Sequence, residues 1–175
     1  GLGQTEASRV LRELGRSESP ENAHALLLEL GHWDHTVVPY PRRLDLPVSS
    51  PTALLPELPE EARVDLTHLP AFAIDDVGNQ DPDDALSLEV TSECRRLWVH
   101  VADVAALVPP DSEADLEARA RGATLYLPSG KLPMLPPQAT QPLGMGLAEV
   151  SPALSFGLAL DAEEEVISVE IVPSW

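Results

Sequence analysis

Four of the five aspartates within residues 71–86, the stretch AFAIDDVGNQDPDDAL, are the side chains of this sequence best suited to chemistry. They are Asp75, Asp81, Asp83 and Asp84. Like charges about 4 Å apart repel by roughly 4 kcal/mol at a surface-like effective dielectric, so a fold that gathers these carboxylates needs a compensating cation. Mg²⁺ takes carboxylate oxygens and retains waters that a phosphate group can replace. The stretch therefore predicts a metal site for phosphodiester chemistry.

These aspartates are expected on a loop that follows a strand, and not along one face of a helix. Pro82 disfavours the α conformation of Asp81, while Gly78 and Asn79 favour a turn. A strand that ends at Asp75, followed by a loop that folds back, lets this carboxylate point toward the three later ones. The sequence thus predicts both the ligands and the loop that gathers them.

Three better-defined motifs do not match this stretch. An EF-hand loop counted from Asp81 needs an oxygen ligand at its fifth position and glycine at its sixth, where Ala85 and Leu86 stand. An aspartate-nucleophile phosphatase shows Asp-x-Asp after its strand, whereas Val77 lies two residues after Asp75. No glycine-rich phosphate loop of the Walker type occurs. The remaining alternative is a solvated acidic surface loop.

The charge of the chain is strongly negative and unevenly distributed. The net charge is −18, of which residues 1–70 carry −5 and residues 71–175 carry −13. Such a surface argues against general nucleic-acid binding, although a bound metal reverses the local field that a substrate meets. The single cysteine, Cys94, permits no internal disulfide and is typical of a reducing compartment, so we expect a cytoplasmic protein. No apolar run reaches membrane-spanning length, and we expect no membrane contact.

The N-terminal residues 1–35 predict a helical hairpin that resembles a helix-turn-helix. A first helix is expected over residues 5–15, and a second begins with Ser19 as N-cap and Pro20 at the first helical position and stops at Gly31. The arginines at positions 9, 12 and 16 share one helix face. They could contact DNA or a protein partner, although a solvated face is the plainer interpretation.

The other elements are placed by proline content and by apolar alternation. Residues 36–70 are rich in proline and predict an extended connector with a helical turn near Pro59–Ala62 and little chemistry. The rest, residues 71–175, predicts a sheet-rich domain. We expect strands over 72–75, 86–90, 97–101 and 124–127, a helix over 112–121, a proline-rich loop over 128–142, and a closing hairpin of 153–161 and 166–172. The predicted fold class is α+β.

Several ordered motifs resemble the RNB exoribonucleases, the family of ribonuclease II and ribonuclease R. The resemblance spans about residues 71–172 and is carried by Ile74-Asp75 with Asp81-Pro-Asp-Asp-Ala-Leu86, His100-Val-Ala-Asp-Val104, Ala118 to Gly122, Thr124-Leu-Tyr-Leu-Pro128 and Leu132-Pro-Met-Leu-Pro136. It identifies residues 71–175 as the first part of an RNB-type catalytic domain.

What this resemblance implies is a processive 3′-to-5′ exoribonuclease that hydrolyses single-stranded RNA to nucleoside 5′-monophosphates and uses Mg²⁺. By position, Asp75, Asp81 and Asp84 are the expected metal-binding residues, and Asp83 is the expected catalytic carboxylate. Tyr126 corresponds to an aromatic that stacks on a base near the RNA 3′ end. Stacking is tolerant of sequence because every base has a π-face.

Two other functions stay open from the sequence. Complete RNB domains are longer and place a catalytic arginine and further aromatics after the motifs seen here, so we expect this piece to be inactive alone. The chain could instead belong to a catalytically incomplete RNA-binding or regulatory protein with an RNB-like fold. A DNA-binding regulator built on the N-terminal helices is the other alternative, and the salt dependence of duplex-DNA binding separates it from the RNA interpretation.

Overall fold

The computed structural model describes residue 2 and residues 5–79, 81–92 and 94–175. The chain divides into two compact units. The first contains Gly1–Pro51 and Glu117–Leu135, and the second contains Thr52–Leu116 and Pro136–Trp175. Helices and antiparallel strands occur together, which confirms the α+β class. The predicted domain limits at residues 35 and 70 stay a prediction.

The secondary structure consists of short helices and two antiparallel sheets. In chain order the elements are α1 (Arg9–Glu13), α2 (Pro20–Glu29), α3 (Tyr40–Arg43), β1 (Ala71–Phe72), β2 (Asp84–Val90), β3 (Arg95–Ala102), α4 (Val104–Leu107), α5 (Glu113–Arg121), β4 (Leu125–Leu127), β5 (Gly130–Leu132), a 3₁₀ turn (Pro137–Ala139), α6 (Thr140–Leu143), β6 (Ala153–Leu160) and β7 (Val166–Ser174).

The second helix begins at the serine that its sequence signals indicate, and both N-terminal helices end shortly before a glycine. Ser8 and Ser19 cap α1 and α2, each accepting a hydrogen bond from the backbone N–H three residues on. Both helices are followed by glycines with positive φ, Gly15 at +67° and Gly31 at +64°, a conformation that glycine adopts without a Cβ penalty. The predicted start of α1 at residue 5 was wrong, because the Ser8 cap sets the first turn later.

A small hairpin in the first unit corrects the predicted proline-rich loop. Strands β4 and β5 pair antiparallel and are joined by the two residues Pro128 and Ser129. Gly130 follows with φ +132°, where a side chain would be strained. The same predicted loop also contains helix α6. Proline is compatible with these elements because it stands in the turn and in the first turns of short helices, where no ladder N–H is needed.

The second unit is built on a five-stranded antiparallel sheet with strand order β1-β2-β3-β6-β7. The closing hairpin β6–β7 was predicted correctly. Its acidic turn is closed by the Asp161 N–H bonding to the Glu165 carbonyl at 3.0 Å, while the Asp161 carboxylate accepts two further backbone N–H groups. Strand β1 ends at Phe72 and not at Asp75, so the first aspartate of the acidic stretch lies beyond the strand.

Strand alternation gives this sheet two different faces. One face carries apolar side chains, of which Leu88 is 51% exposed and Val169 and Ile171 are each 57% exposed. The other face carries a chain of buried polar side chains that crosses four neighbouring strands. Its members are Ser87 on β2, His100 on β3, Ser155 on β6 and Ser174 on β7.

The buried chain, which we call the Ser–His–Ser–Ser relay, is fully hydrogen-bonded at the imidazole. The His100 Nε2 atom lies 2.8 Å from the Ser87 hydroxyl, and its Nδ1 atom lies 2.7 Å from the Ser155 hydroxyl. Ser155 in turn shares a 2.6 Å hydrogen bond with Ser174. Burial lowers the pKa of His100, because the protonated ring loses hydration that the serines replace only in part.

Residues 52–70 were predicted to be part of an extended connector with little chemistry, but they contain a buried arginine. The Arg63 side chain is only 1% exposed and lies 2.7 Å from the Asp103 carboxylate. It also pairs with Glu61, donates to the Ala153 and Ser174 carbonyls, and stacks over the Trp175 ring. The backbone beside it forms a parallel bridge with the end of β7. No helical turn occurs at residues 59–62, so that prediction was wrong.

No helix in the part of the chain that the structure describes is both long and apolar enough to cross a membrane.

Replacing Arg63 by methionine should destabilise the protein by about 3–5 kcal/mol, because Asp103 would remain largely buried without its partner. Urea unfolding monitored by tryptophan fluorescence measures this loss. Arg9→Met is the matched control: it removes an ion pair whose two side chains are 87% and 62% exposed, and should leave the unfolding midpoint nearly unchanged. A second change, Asp103→Leu, should restore part of the loss. Equal midpoints for Arg63→Met and Arg9→Met would contradict the prediction.

The lowered pKa of His100 predicts that stability falls in mild acid. The folded state favours the neutral ring, so the contribution is complete above the unfolded pKa of about 6.5 and is lost as the pH drops toward the folded pKa. We expect a lower urea midpoint at acidic pH than at neutral pH in the wild type. His100→Gln should show a smaller change over the same interval, since both proteins share every carboxylate. The idea fails if the two pH profiles are parallel.

Candidate active site

The aspartate loop runs from Asp75 to Asp84 in the second unit, between β1 and β2. It begins with a turn in which the Asn79 N–H bonds to the Asp76 carbonyl at 3.0 Å. Gly78 occupies a positive φ of +92° in this turn, as the Gly-Asn pair predicted. Residues 75–79 and 81–83 have no helical or strand structure, so Asp75, Asp81 and Asp83 lie on a loop as predicted, whereas Asp84 is the first residue of β2.

Asn79 connects the two ends of the predicted metal site. Its side-chain Nδ2 donates to the Asp75 Oδ1 at 2.8 Å, and its Oδ1 accepts from the Asp81 backbone N–H at 3.3 Å. One amide therefore orients one predicted ligand through its carboxylate and another through its backbone. The sequence indicated Asn79 only as a turn residue. The one sequence signal for a positioning role was that Asn79 lies between Asp75 and Asp81 in the chain.

The other two aspartates are placed by the start of β2. The Asp83 carbonyl accepts from the Ala102 N–H at 2.8 Å, and Asp84 pairs with Val101 on β3. The preceding residue is also fixed, because the Pro82 carbonyl accepts from the Met145 N–H at 2.9 Å. Asp84 is the first residue of β2, whereas Asp83 precedes the strand. Both residues are exposed.

The four aspartates are not gathered into one cluster. Among residues 5–79, 81–92 and 94–175, no three His, Cys, Asp or Glu side chains come close enough to hold a metal together. The donor set nevertheless suits Mg²⁺, which uses one or two carboxylates and completes its shell with water and phosphate oxygens. Asn79 contacts the Asp75 carboxylate and the Asp81 backbone, so these two residues are held near each other in the loop. The assignment of the metal ligands stays a prediction.

A cavity of about 430 Å³ lies in the second unit, bordered by residues from both ends of the aspartate loop. Ala71 and Ala73 precede Asp75, and Ala85 follows Asp84; His100 and Met145 also line the cavity. The cavity thus adjoins the segments that hold the loop at each end. Most residues that line the cavity are apolar, so the cavity offers a ligand few polar groups.

Tyr126, the predicted stacking residue, lies in the first unit on strand β4. Its side chain is 71% exposed, although it is a large aromatic. Leu125 and Leu127 on either side of it are more buried, as alternation along a strand requires. An exposed ring on a short, hydrogen-bonded hairpin is a suitable surface for stacking against a base.

The arginines of the N-terminal helices are engaged with acidic side chains of the same region. Arg9 pairs with Glu13 at 2.7 Å, and Arg12 pairs with Glu18 at 2.8 Å. Arg16 pairs with Glu29 at 2.6 Å. The hydrogen bonds from Arg12 lower the pKa of Glu18, so this acid stays ionised and offsets the arginine at neutral pH. The pairing favours the plainer interpretation of this face over a DNA-reading surface.

Family models match both ends of the chain. A model described as RNB domain matches residues 63–175, and one described as Double HTH domain matches residues 2–39. The first match begins at Arg63, at the buried ion pair, and contains the whole aspartate loop and Tyr126. The second covers the capped helices α1 and α2.

Two curated relatives and one solved structure are similar to the chain. An uncharacterized ribonuclease of Synechocystis sp. is 37% identical over 97% of this chain and 27% of its own length. Ribonuclease II, chloroplastic/mitochondrial, of Arabidopsis thaliana is 33% identical over 90% of this chain and 21% of its own length. Mycoplasma genitalium RNase R in complex with ribose methylated single-stranded RNA has a TM-score of 0.59 and 29% identity, covering 64% of this chain and 18% of that one. The chain spans about a quarter of the length of the curated relatives.

Proposed function

Because the chain belongs to the RNB-domain family, we propose that the complete protein is a processive 3′-to-5′ exoribonuclease that hydrolyses single-stranded RNA to nucleoside 5′-monophosphates. The observation that supports this most strongly is the aspartate loop. It lies inside the segment that matches the RNB domain, carries all four carboxylates and is held by β2 and Asn79. RNB-domain relatives are ribonucleases by name, and one solved relative is bound to single-stranded RNA.

In this proposal the four aspartates divide between two roles, metal binding and proton transfer. Asp75, Asp81 and Asp84 would hold Mg²⁺, which when bound supplies positive charge for the scissile phosphate and the leaving oxygen. Asp83 would orient the attacking water and accept its proton, as an exposed carboxylate can. The Pro82 and Asp83 backbone hydrogen bonds fix the peptide that carries this group, so its position is set before substrate arrives.

Tyr126 would bind the substrate by stacking on a base near the RNA 3′ end. Its exposed ring supports this role. Stacking is independent of base identity, which a processive nuclease requires at every step along the strand. We expect the protein to act in the cytoplasm, where Cys94 stays reduced.

The alternative is an RNA-binding or regulatory protein that keeps the RNB fold without catalysis. The presence of all four aspartates favours the enzyme. The two are separated by incubating the full-length protein with a 5′-labelled single-stranded RNA in Mg²⁺. Progressive shortening from the 3′ end supports the nuclease, whereas binding without any shortening supports the alternative.

Asp83→Asn should reduce turnover of single-stranded RNA by about 10²–10⁴-fold, because the amide cannot accept the proton of the attacking water. RNA affinity should change little, since the side chain is nearly unchanged in shape. Single-turnover rates and filter binding measure the two quantities in the full-length protein. Asp161→Asn, in the β6–β7 turn, is the matched control and should retain wild-type turnover. Near-normal degradation by Asp83→Asn in Mg²⁺ would exclude the catalytic role.

Asn79→Ala should raise the Mg²⁺ concentration for half-maximal activity by about tenfold, because Asp75 and Asp81 lose the amide that joins them. Activity should recover when Mg²⁺ is saturating, since the carboxylates themselves remain. Asn22→Ala, which removes an amide from the N-terminal helices, serves as the control and should leave the Mg²⁺ dependence unchanged. A loss that saturating Mg²⁺ does not restore would show that Asn79 acts in some other way.

A further inference from the structure

The hairpin that carries Tyr126 also carries the one lysine of the sequence, Lys131. The two residues are direct partners in the β4–β5 register. The Lys131 Nζ atom lies over the Tyr126 ring, 5.7 Å from its centroid, which is within the range of a cation–π interaction. Tyr126 is still 71% exposed in this arrangement.

This hairpin also belongs to an unusually basic part of an acidic chain. Residues 117–135 contain three basic residues and one acid, a net charge of +2, whereas the rest of residues 71–175 carries −15. Within the segment, the Arg121 guanidinium is directed to structural partners, because it pairs with Glu117 at 2.8 Å and donates to the Ser49 carbonyl. Its side chain is only 6% exposed. Lys131 is exposed beside the predicted base-stacking ring.

We propose that Lys131 is an RNA-backbone contact that acts together with Tyr126: the ring stacks on a base and the lysine ammonium binds a neighbouring phosphate. The proposal rests on the proposed binding of single-stranded RNA and adds to it a residue that supplies affinity. An aromatic platform combined with a nearby cation is the arrangement that binds single strands without reading their sequence. The hairpin register keeps the two groups side by side, because residues 126 and 131 are opposite each other on the paired strands.

Lys131 could instead serve only to orient the ring. The two roles differ in one measurable property. Binding of a phosphate by a protein cation releases a counterion from the RNA. Removing that cation therefore changes the dependence of RNA affinity on salt. Loss of a purely orienting contact changes affinity without that signature. The slope of log Kd against log salt concentration therefore decides between them.

The experiment compares Lys131→Met and Lys131→Arg in the full-length protein. Fluorescein-labelled oligo(A) and oligo(U) are titrated in EDTA, so that hydrolysis does not interfere. Lys131→Met should weaken binding of both oligonucleotides by about two- to fivefold at low salt, and should reduce the salt slope by about 0.7. The ratio of wild-type to Lys131→Met affinity should therefore become about 2.6-fold smaller as the salt concentration rises from about 50 to 200 mM. Lys131→Arg keeps the charge and should keep the slope.

Tyr126→Ala is the complementary variant, because it removes the platform and leaves the cation. It should weaken binding with an unchanged salt slope, and in Mg²⁺ it should lengthen the final degradation product. A slope in Lys131→Met that equals the wild-type slope overturns the phosphate role. So does a slope change of equal size in Lys131→Arg, because that variant retains the charge.

Failure of this proposal can be distinguished from failure of the proposed function. If the wild-type protein binds RNA but does not shorten it in Mg²⁺, the exoribonuclease assignment is wrong, and the salt slopes still decide the role of Lys131. If the wild type degrades RNA and Lys131→Met keeps both its salt slope and its KM, only the Lys131 proposal is overturned. With a phosphate role, KM should rise while kcat at saturating RNA stays unchanged, since Lys131 is not placed in the chemical step.

Discussion

The hydrogen-bonded relay across the central sheet is the constraint on which the aspartate positions depend. His100 is bonded at both ring nitrogens to serines of the strands on either side, and Ser174 extends the chain to a fourth strand. All four side chains are buried, so each unmade bond would cost about 1–3 kcal/mol. A slip of β2 by one residue would move Ser87 to the apolar face and break the bond to His100. The same register sets Asp84 opposite Val101 and Asp83 against Ala102.

The buried arginine performs a similar task at the same end of the sheet, where Asp84 begins β2, β3 ends at Ala102 and β6 begins at Ala153. Arg63 contacts Asp103, which follows β3, and the carbonyl groups of Ala153 and Ser174 on β6 and β7. A guanidinium can make this many directed bonds because its donors form a rigid fork. The segment before the sheet therefore helps to hold three strands, and the start of the match to the RNB domain at residue 63 agrees with that structural role.

Local sequence signals predicted the structure well where they act within a few residues. The Ser19 cap and terminal glycine of α2, the turn at Gly78, and the hairpin of β6 and β7 all depend on neighbours in the chain. Contacts between distant residues were not visible: nothing in the sequence around Arg63 indicated a partner 40 residues away. The hairpin at residues 125–132 was also missed, because proline content suggested a loop although the prolines stand outside the ladder. For the site, the sequence predicted the loop, the assignment of its metal ligands stays a prediction, and the role of Asn79 depends on side-chain geometry.

The net negative charge of the chain is compatible with the proposed RNA substrate, because positive and negative charges are distributed unevenly along it. In the N-terminal helices, Arg9, Arg12 and Arg16 are offset by carboxylates at 2.6–2.8 Å, so their positive charge is largely cancelled at short range. Residues 117–135 instead keep a net positive charge. Beyond a Debye length of about 8 Å, the charge of the rest of the chain is screened at physiological salt, and local groups dominate what a phosphate meets. Whether a phosphate backbone binds therefore depends on where the few cations lie, and the net charge of −18 does not determine it.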